Sequence, residues 1–250
     1  MFNFFKRKSA ASEIVRVLPF QSDIHSHILP GIDDGSPDVE TSLELLRGIY
    51  ALGITKTVAT PHIIGDMYRN TPDTINAALS TLKTAVAATG MNIEISAAAE
   101  YMLDDYFLKL LNDDAPLLCI YKNIILTEQS YASASGNLHE MAFEIMKKGY
   151  RPIMAHPERY YYYHDNYAEY SRLKDMGFLL QVNVLSLIGY YGKHAAKAAR
   201  YIMDHGMADL VGTDMHHTRH LAALQKRENL TIFRKHMEKR SYNILSDFSD

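Results

Sequence analysis

The chain has 250 residues, a formal net charge of -3 and 47% hydrophobic residues. This length suits one α/β barrel or two small domains, and the hydrophobic fraction allows a substantial core. No basic excess is present that would hold nucleic acid nonspecifically, so a nucleic-acid partner is not expected. The one cysteine, Cys119, permits neither an internal disulfide nor a multi-cysteine zinc site, which favours a reducing, cytoplasmic location.

The first twenty residues include aromatic and basic side chains but lack the roughly 7 to 15 consecutive apolar residues of a signal peptide. No segment approaches the roughly 20 apolar residues of a membrane-spanning helix, so no transmembrane segment is expected. A weak contact with a membrane surface is conceivable, but a flexible tail is the simpler interpretation. We therefore predict a tail over residues 1–20 and a single domain over residues 21–250.

Helical patterns alternate with apolar, β-rich runs along the domain. The first two helices are predicted to begin at Ser36-Pro37 and Thr71-Pro72, where an N-cap residue precedes proline. Glycines close the helical patterns at five positions, namely Gly53, Gly90, Gly149, Gly177 and Gly206. The apolar runs predict seven strands, at residues 21–26, 55–60, 92–99, 123–128, 151–156, 178–185 and 208–214. A repeated βα unit predicts an α/β fold, either a barrel or a doubly wound sheet.

Six of the seven predicted strands end in histidine or acidic residues. In chain order these ends read Asp23-Ile24-His25-Ser26-His27, Pro61-His62, Ala99-Glu100, Thr127-Glu128, His156-Pro157-Glu158-Arg159 and Asp214-Met215-His216. A parallel α/β barrel places its chemistry at the carboxyl ends of its strands, so these side chains are expected to converge. A lone strand-end histidine is more often a satisfied polar group than a ligand, but six coincident strand ends favour a shared site.

The donor types at these ends predict a polynuclear metal site. His25 and His27 are two residues apart on a strand, so their side chains point the same way, and Asp214 and His216 repeat that spacing. Imidazole and carboxylate donors without thiolate suit Mn, Fe or Zn in a catalytic site. Because a catalytic zinc uses about three protein ligands, this larger set implies two or three divalent ions. Glu100, on a central strand, is the natural bridging carboxylate.

The loop Gly31-Ile32-Asp33-Asp34-Gly35 offers a further carboxylate. Either aspartate could serve as a ligand. A solvated turn with an Asx cap explains Asp33 equally well and Asp34 less well.

The motifs resemble a known family. Similar runs are Asp-Ile-His-Ser-His with Leu-Pro-Gly-Ile-Asp-Asp-Gly, Ala-Thr-Pro-His, Ala-Ala-Glu-Tyr, Ala-His-Pro-Glu-Arg, NVLSLIGYYG at 183–192 and Gly-Thr-Asp-Met-His-His. They resemble the PHP (polymerase and histidinol phosphatase) superfamily and, more closely, its bacterial protein-tyrosine phosphatases of capsule and exopolysaccharide operons, the CpsB/CapC family. The resemblance covers residues 20 to about 240. It implies a distorted seven-stranded (β/α)7 barrel, a trinuclear site and hydrolysis of phosphotyrosine by a metal-activated hydroxide.

The resemblance also implies individual roles. The implied metal ligands are His25, His27, Asp34, His62, Glu100, Glu128, His156, Asp214 and His216. Arg159 is implied to hold phosphate, unless it only forms a structural ion pair with Glu158 or another neighbour. Arg219 is the candidate for a second phosphate-binding arginine, and His217 or a metal-bound water is the candidate acid. His217 stands where many members have asparagine, and a leader of about twenty residues precedes the first motif, but neither departure removes a ligand.

The implied substrate is a phosphotyrosine protein, by family a membrane-linked tyrosine kinase that controls polysaccharide export, with this chain in the cytoplasm near the inner face of the membrane and an oligomer possible. Tyr160–163 either grips that substrate at the rim or, slightly better, packs within a loop. A small-molecule phosphomonoesterase similar to histidinol phosphatase remains an alternative, although the absence of long inserted loops favours an open rim. A noncatalytic metal-bound scaffold is the other alternative, yet no ligand is visibly lost.

Overall fold

The computed structural model describes residues 17–238 and 240–243, and strands alternate with helices along them. The strands are β1 (Ser22–Asp23), β2 (Lys56–Ala59), β3 (His62–Ile63), β4 (Glu94–Ala97), β5 (Glu100–Met102), β6 (Ile124–Glu128), β7 (Arg151–Ala155), β8 (Leu179–Asn183) and β9 (Leu210–Gly212). The α-helices are α1 (Val39–Ala51), α2 (Pro72–Thr89), α3 (Asp105–Asn112), α4 (Leu138–Lys147), α5 (Ala168–Asp175), α6 (Lys193–Asp204), α7 (Thr218–Leu224) and α8 (Arg227–Met237). Three short 3-10 helices cover Pro157–Arg159, Tyr161–Tyr163 and Val184–Ile188.

The strands pair in parallel in two sheets, one in the order β1-β2-β4 and one in the order β3-β5-β6-β7-β8-β9. The predicted strands 55–60 and 92–99 correspond to β2 and β4, and each is followed by a further short strand that was not predicted, β3 or β5, in the other sheet. Pro61 stands between β2 and β3, where a residue without an N–H cannot donate to the ladder. Neither sheet closes on itself within the described residues, so the seven-stranded closure stays a prediction.

The helix starts follow local capping, with one difference from prediction. Thr71 caps α2 through a reciprocal capping box, and Pro72 occupies the first turn as predicted. The predicted start of α1 at Ser36-Pro37 is wrong by two residues, because Asp38 is the N-cap and its side chain accepts the Thr41 N–H at 2.8 Å. A short polar side chain at either position is a good cap, and the tertiary fold selected the later one.

Strands β6 to β9 are buried on both faces and mostly apolar, as parallel strands covered by helices should be. An inner cluster lies between the strands and contains Ile24, Val58, Ala98, Leu126, Ile153 and Leu210, among others. A larger cluster packs the outer strand faces against the helices. Polar side chains at the carboxyl ends of the strands are therefore exceptions to an apolar interior, and their burial requires partners.

Most of the predicted N-terminal tail lies outside the described residues, which begin at Val17. Leu18 and Phe20, at its end, are each only 4% exposed and pack in the core, and the Leu18 N–H donates to Leu52 O. Packing therefore begins a few residues before the predicted domain boundary. None of the helices described is both long and apolar enough to cross a membrane.

Candidate metal centre

The nine predicted ligands lie at the carboxyl ends of the strands and in the loops that follow. Each belongs to at least one group whose donor atoms lie within 4.8 Å of one another. The groups are His27, Asp34, His62 and His216; His25, His27 and Glu100; His25, His156 and Asp214; and His62, Glu100 and Glu128. The convergence expected from the strand ends is therefore present in the fold.

Glu100 occupies the centre of these overlapping groups and is fully buried. Its Oε2 lies 3.3 Å from Nε2 of both His25 and His27 and 3.2 Å from His62 Nδ1. Its other oxygen, Oε1, lies 3.1 Å from His156 Nε2. One carboxylate thus faces four imidazoles, which is the position expected of a bridging ligand.

Several buried donor atoms lack hydrogen-bond partners among the described residues: His62 Nδ1, Glu100 Oε2 and Glu128 Oε1. His62 Nδ1 and Glu128 Oε1 are 2.9 Å apart, yet their orientation does not make a hydrogen bond. Unpaired buried polar atoms are costly, and a cation between them would satisfy all three at once. The set also contains only imidazole and carboxylate donors, so the residues fit divalent metal ions.

Buried carboxylates and imidazoles strongly perturb one another. Burial alone would lower the pKa of His27, but the Asp33 carboxylate raises it well above its usual value. Burial likewise favours the neutral form of Asp214, but His25 and His216 hold its pKa well below the ordinary range. Burial and the neighbouring His27 lower the pKa of His216 to about 4, which keeps this imidazole neutral and able to coordinate.

Two further side chains orient the paired histidines. His25 Nδ1 lies 2.8 Å from Gln181 Oε1, and His27 Nδ1 lies 2.8 Å from Asp33 Oδ2. In each imidazole the other nitrogen, Nε2, faces the cluster, which is how outer partners usually fix a metal-binding histidine. Sequence reasoning missed Gln181, although a glutamine within the apolar strand β8 is an unusual buried polar residue.

The two aspartates of the loop after β1 have different positions. Among the described residues, Asp33 belongs to no donor group and contacts two predicted ligands, with Oδ2 2.8 Å from His27 Nδ1 and accepting the His62 backbone N–H at 3.2 Å. Its Oδ1 accepts the Gly35 N–H at 2.9 Å. Asp34 belongs to a donor group, with Oδ1 3.4 Å from His62 Nε2. Gly35 is required here because a Cβ would stand 2.1 Å from His27 O.

Tight backbone geometry surrounds the cluster. His156 and Asp214 have positive φ angles of 35° and 50°, a left-handed conformation that non-glycine residues adopt at a cost. At Gly212 a Cβ would stand 2.8 Å from both Gln181 Nε2 and His25 Cβ. Strained backbone angles and close contacts between neighbouring strands therefore occur at the strand ends where the donor side chains converge.

Arg159 lies at the edge of the cluster. Its NH1 donates to Asp214 Oδ2 at 2.7 Å, and its guanidinium carbon lies 4.2 Å from the ring centroid of Tyr191 and 4.9 Å from that of Tyr131. Glu158 is not the ion-pair partner of Arg159, because Glu158 Oε1 accepts hydrogen bonds from the Asn183 N–H and the Ser186 hydroxyl instead. The partner is Asp214, so the phosphate-binding role of Arg159 stays a prediction beside that of a structural ion pair.

The other two predicted catalytic residues lie near α7. His217 caps that helix, with Nδ1 accepting the His220 N–H at 3.3 Å, and burial and Arg219 lower its pKa. Arg219 is exposed and is not among the described residues that line the cavity at the cluster. The structure thus brings His217 to the site but leaves Arg219 outside it.

A cavity of about 300 Å³ opens over the cluster. Its lining comprises Asp34, His62, Glu100, Glu128, Tyr131, His156, Arg159, Tyr191, Asp214, His216, His217 and His220. A larger cavity of about 720 Å³ lies near the opposite strand ends, beside Lys56 and Glu94, and contains none of the predicted site residues. Donor chemistry rather than size therefore identifies the smaller cavity as the candidate site.

Comparison with known proteins gives a family for this site. A family model described as "Capsular polysaccharide synthesis, CpsB/CapC" matches residues 21–249. The chain belongs to the CpsB/CapC family. It is 28% identical over 205 residues to the tyrosine-protein phosphatase YwqE of Bacillus subtilis (strain 168), covering 79% of this chain and 78% of that protein. It is 29% identical over 200 residues to the tyrosine-protein phosphatase CpsB of Streptococcus agalactiae, covering 78% and 82% respectively.

A solved structure from the same family has a similar fold. It comes from work described as crystal structures of YwqE from Bacillus subtilis and CpsB from Streptococcus pneumoniae, metal-dependent tyrosine phosphatases. The superposition has a TM-score of 0.77 with 25% identity and covers 90% of this chain and 89% of the other. The resemblance noted from the sequence motifs is confirmed at the level of the CpsB/CapC family.

Two aromatic residues of this CpsB/CapC chain line the cavity without having been predicted to do so. Tyr191 lies within the motif at 183–192, whereas no sequence signal pointed to Tyr131. The predicted tyrosine run behaves differently, because Tyr160 and Tyr163 are buried and none of the four tyrosines lines the cavity. Loop packing, the slightly favoured interpretation of that run, describes it better than substrate gripping.

Proposed function

We propose that this chain is a metal-dependent protein-tyrosine phosphatase. One observation carries the proposal: histidine and carboxylate donors converge on buried Glu100 directly beside Arg159, within one cavity of about 300 Å³. Its relatives are described as tyrosine-protein phosphatases, and the two relatives with solved structures are described as metal-dependent. A metal-dependent site and a fixed arginine together suit phosphoryl transfer.

The proposed ligands are the nine predicted residues, His25, His27, Asp34, His62, Glu100, Glu128, His156, Asp214 and His216. They would hold two or three divalent ions, with Mn the first candidate and Fe or Zn the others. Bound ions would supply positive charge to the phosphoryl oxygens and make a water molecule acidic enough to ionise near neutral pH. The orphaned donor atoms of His62, Glu100 and Glu128 support this assignment.

The chain's own residues would bind and orient the phosphoryl group. Arg159 uses one N–H on Asp214 and retains others for nonbridging oxygens. His217 accepts the His220 N–H at Nδ1, so its neutral ring carries a proton on Nε2 and can donate a hydrogen bond to the leaving oxygen, while a metal-bound water would be the proton donor. A tyrosyl oxygen, with a pKa near 10, needs less acid assistance than an aliphatic one. Arg219 would have to turn in from solvent to contribute.

We also propose that the two sheets form one distorted (β/α)7 barrel. A parallel bridge between Ser26 and Met215 joins the chain after β1 to the chain after β9. The Ala98 N–H donates to Ala59 O at 2.8 Å, and the Glu100 N–H to Pro61 O at 3.0 Å, which keeps the segments β2–β3 and β4–β5 side by side. An experimental structure that left the first and last strands apart would contradict this closure.

The proposed substrate is a phosphotyrosine protein, specifically a membrane-linked tyrosine kinase that controls capsular polysaccharide synthesis and export. Family membership supports this assignment. The chain would act in the cytoplasm at the inner face of the membrane, and an oligomeric state stays a prediction. Loss of phosphotyrosine from such a kinase on incubation with the chain, and not with the His156→Ala variant, is the expected result.

The decisive test is phosphate release from a phosphotyrosine peptide, a phosphoserine peptide and histidinol phosphate, each with Mn and with a chelator. Release confined to the phosphotyrosine peptide and abolished by chelator is expected. Preference for histidinol phosphate would instead identify the chain as a small-molecule phosphomonoesterase. No release from any of the three would favour a noncatalytic scaffold. The His156→Ala variant, expected to be inactive, controls for contaminating phosphatases.

A further inference from the structure

Tyr131 contacts both halves of the site. It lies in the loop between β6 and α4, lines the cavity and is 39% exposed. Its ring lies 4.9 Å from the Arg159 guanidinium and stacks on His156 at 5.8 Å, with 20° between the ring planes. Its hydroxyl lies 3.4 Å from His156 Nδ1, at the long end of hydrogen bonding. One side chain therefore touches the phosphate-binding arginine and a proposed metal ligand.

The hydroxyl contact bears on the tautomer of His156. His156 Nε2 faces Glu100 Oε1 at 3.1 Å, so Nε2 is the nitrogen directed at the cluster. A lone pair on Nε2 requires the ring proton on Nδ1, where the Tyr131 hydroxyl can accept it. Gln181 has the same place relative to His25, with Oε1 2.8 Å from Nδ1. The Tyr131 hydroxyl thus fixes the tautomer of His156 in the way that the Gln181 amide oxygen fixes that of His25.

The ring contact bears on Arg159. A guanidinium that contacts two aromatic rings and is bonded to Asp214 has few orientations left, so its remaining N–H groups are already directed when phosphate arrives. The guanidinium carbon lies 4.2 Å from the Tyr191 ring centroid and 4.9 Å from that of Tyr131. Removing either ring would free the arginine to sample other rotamers.

The tyrosine run at 160–163 holds the segment that carries Tyr131. All four hydroxyls bond residues 129–132: Tyr160 accepts the Gln129 N–H at 2.8 Å, Tyr161 donates to Ala132 O at 2.8 Å, Tyr162 donates to Ser130 O at 3.1 Å and Tyr163 accepts from Gln129 Nε2 at 2.9 Å. This run directly follows Arg159 in the chain. The same short segment therefore supplies the arginine and fixes the loop that covers it.

We propose that Tyr131 is a positioning residue, whose hydroxyl holds the metal-binding tautomer of His156 and whose ring holds the Arg159 guanidinium, with the tyrosine run as its support. The inference deepens the proposed function and rests on it for the reaction. Its two physical consequences, on metal affinity and on phosphate affinity, are measurable without turnover.

The experiment compares Tyr131→Phe, Tyr131→Leu and wild type, with Tyr50→Phe on the exposed face of α1 as the matched control. Mn²⁺ affinity is measured by EPR titration of the free ion, and affinity for inorganic phosphate by calorimetry at saturating Mn²⁺. Tyr131→Phe keeps the ring, so we expect Mn²⁺ affinity to fall about tenfold while phosphate affinity stays within about twofold. Tyr131→Leu should also weaken phosphate binding, by about three- to tenfold. Tyr50→Phe should change neither.

Wild-type Mn²⁺ affinity in Tyr131→Phe would overturn the hydroxyl role, and wild-type phosphate affinity in Tyr131→Leu would overturn the ring role. The Phe variant decides the first point even where the Leu variant fails to fold, which circular dichroism would reveal. Tyr161→Phe, at a residue 60% exposed, removes only one support and should weaken Mn²⁺ binding about threefold. A wild-type protein that binds Mn²⁺ and phosphate but releases none from a phosphotyrosine peptide would refute the proposed function alone.

Discussion

Arg159 offers the sharpest test of the proposed chemistry. Its NH1 is 2.7 Å from Asp214 Oδ2, and its guanidinium contacts the rings of Tyr131 and Tyr191. Replacing it with methionine keeps a long apolar side chain beside those rings and removes the permanently charged donors. Asp214, only 2% exposed, then loses its cationic partner. The change therefore isolates the guanidinium from the bulk of the side chain.

The expected loss follows from the role of a fixed donor. Removing one preorganised donor that faces charge developing in a transition state costs roughly 10²- to 10³-fold, or about 3 to 4 kcal/mol. We expect kcat/KM for a phosphotyrosine peptide to fall within that range in Arg159→Met. The exposed Arg219 lies outside the cavity lining, so Arg219→Met is expected to lose less than about threefold.

The assay is steady-state phosphate release at saturating Mn²⁺, with metal content measured on the same samples. Equal metal content in the two variants ensures that the loss reports on phosphate and not on the cluster. A loss below tenfold in Arg159→Met would refute the assignment of this arginine. A loss above tenfold in Arg219→Met, with Arg159→Met little changed, would move the phosphate-binding role to Arg219, as the sequence analysis allowed.

Three further predictions concern stability and geometry. Chelation should lower the free energy of unfolding, by about 2.7 kcal/mol relative to protein with free metal at 100 times its dissociation constant; urea titrations that coincide with and without chelator would contradict this. Gly212→Ala should cost about 1 to 3 kcal/mol and most of the activity, because its Cβ would displace Gln181 and His25; a fully active, equally stable variant would contradict it. Burial raises the pKa of Asp23 to about 6, above its unfolded value of 3.8, so its stabilising contribution is complete below about pH 4 and is lost as pH rises through about 6. In the presence of chelator, the free energy of unfolding in urea should fall between pH 4 and pH 7 by about 3 kcal/mol more in wild type than in Asp23→Asn. Parallel pH profiles for the two proteins would refute this.

The positions of the proposed ligands were predictable because parallel βα units bring strand carboxyl ends to one side. His25, His62, Glu100, His156 and Asp214 are far apart in the chain, yet each follows or ends an apolar run, and each belongs to a converging donor group. Element boundaries were less predictable. Ser36 and Asp38 are both good helix caps, and the short strands β3 and β5, which follow the predicted strands 55–60 and 92–99, were not predicted.

The sequence by itself determined the alternation of strands and helices, the donor types and their places at strand ends, since these depend on periodicity and on residue chemistry within a few positions. Only the tertiary structure decided which aspartate of the loop after β1 joins a donor group, that Arg159 rather than Arg219 lines the cavity, and that Tyr131 covers it. The reason is physical: such choices depend on contacts between distant segments, as between Tyr161 and Ala132, which are 29 residues apart in the chain. Local patterns contain no information about which loops meet.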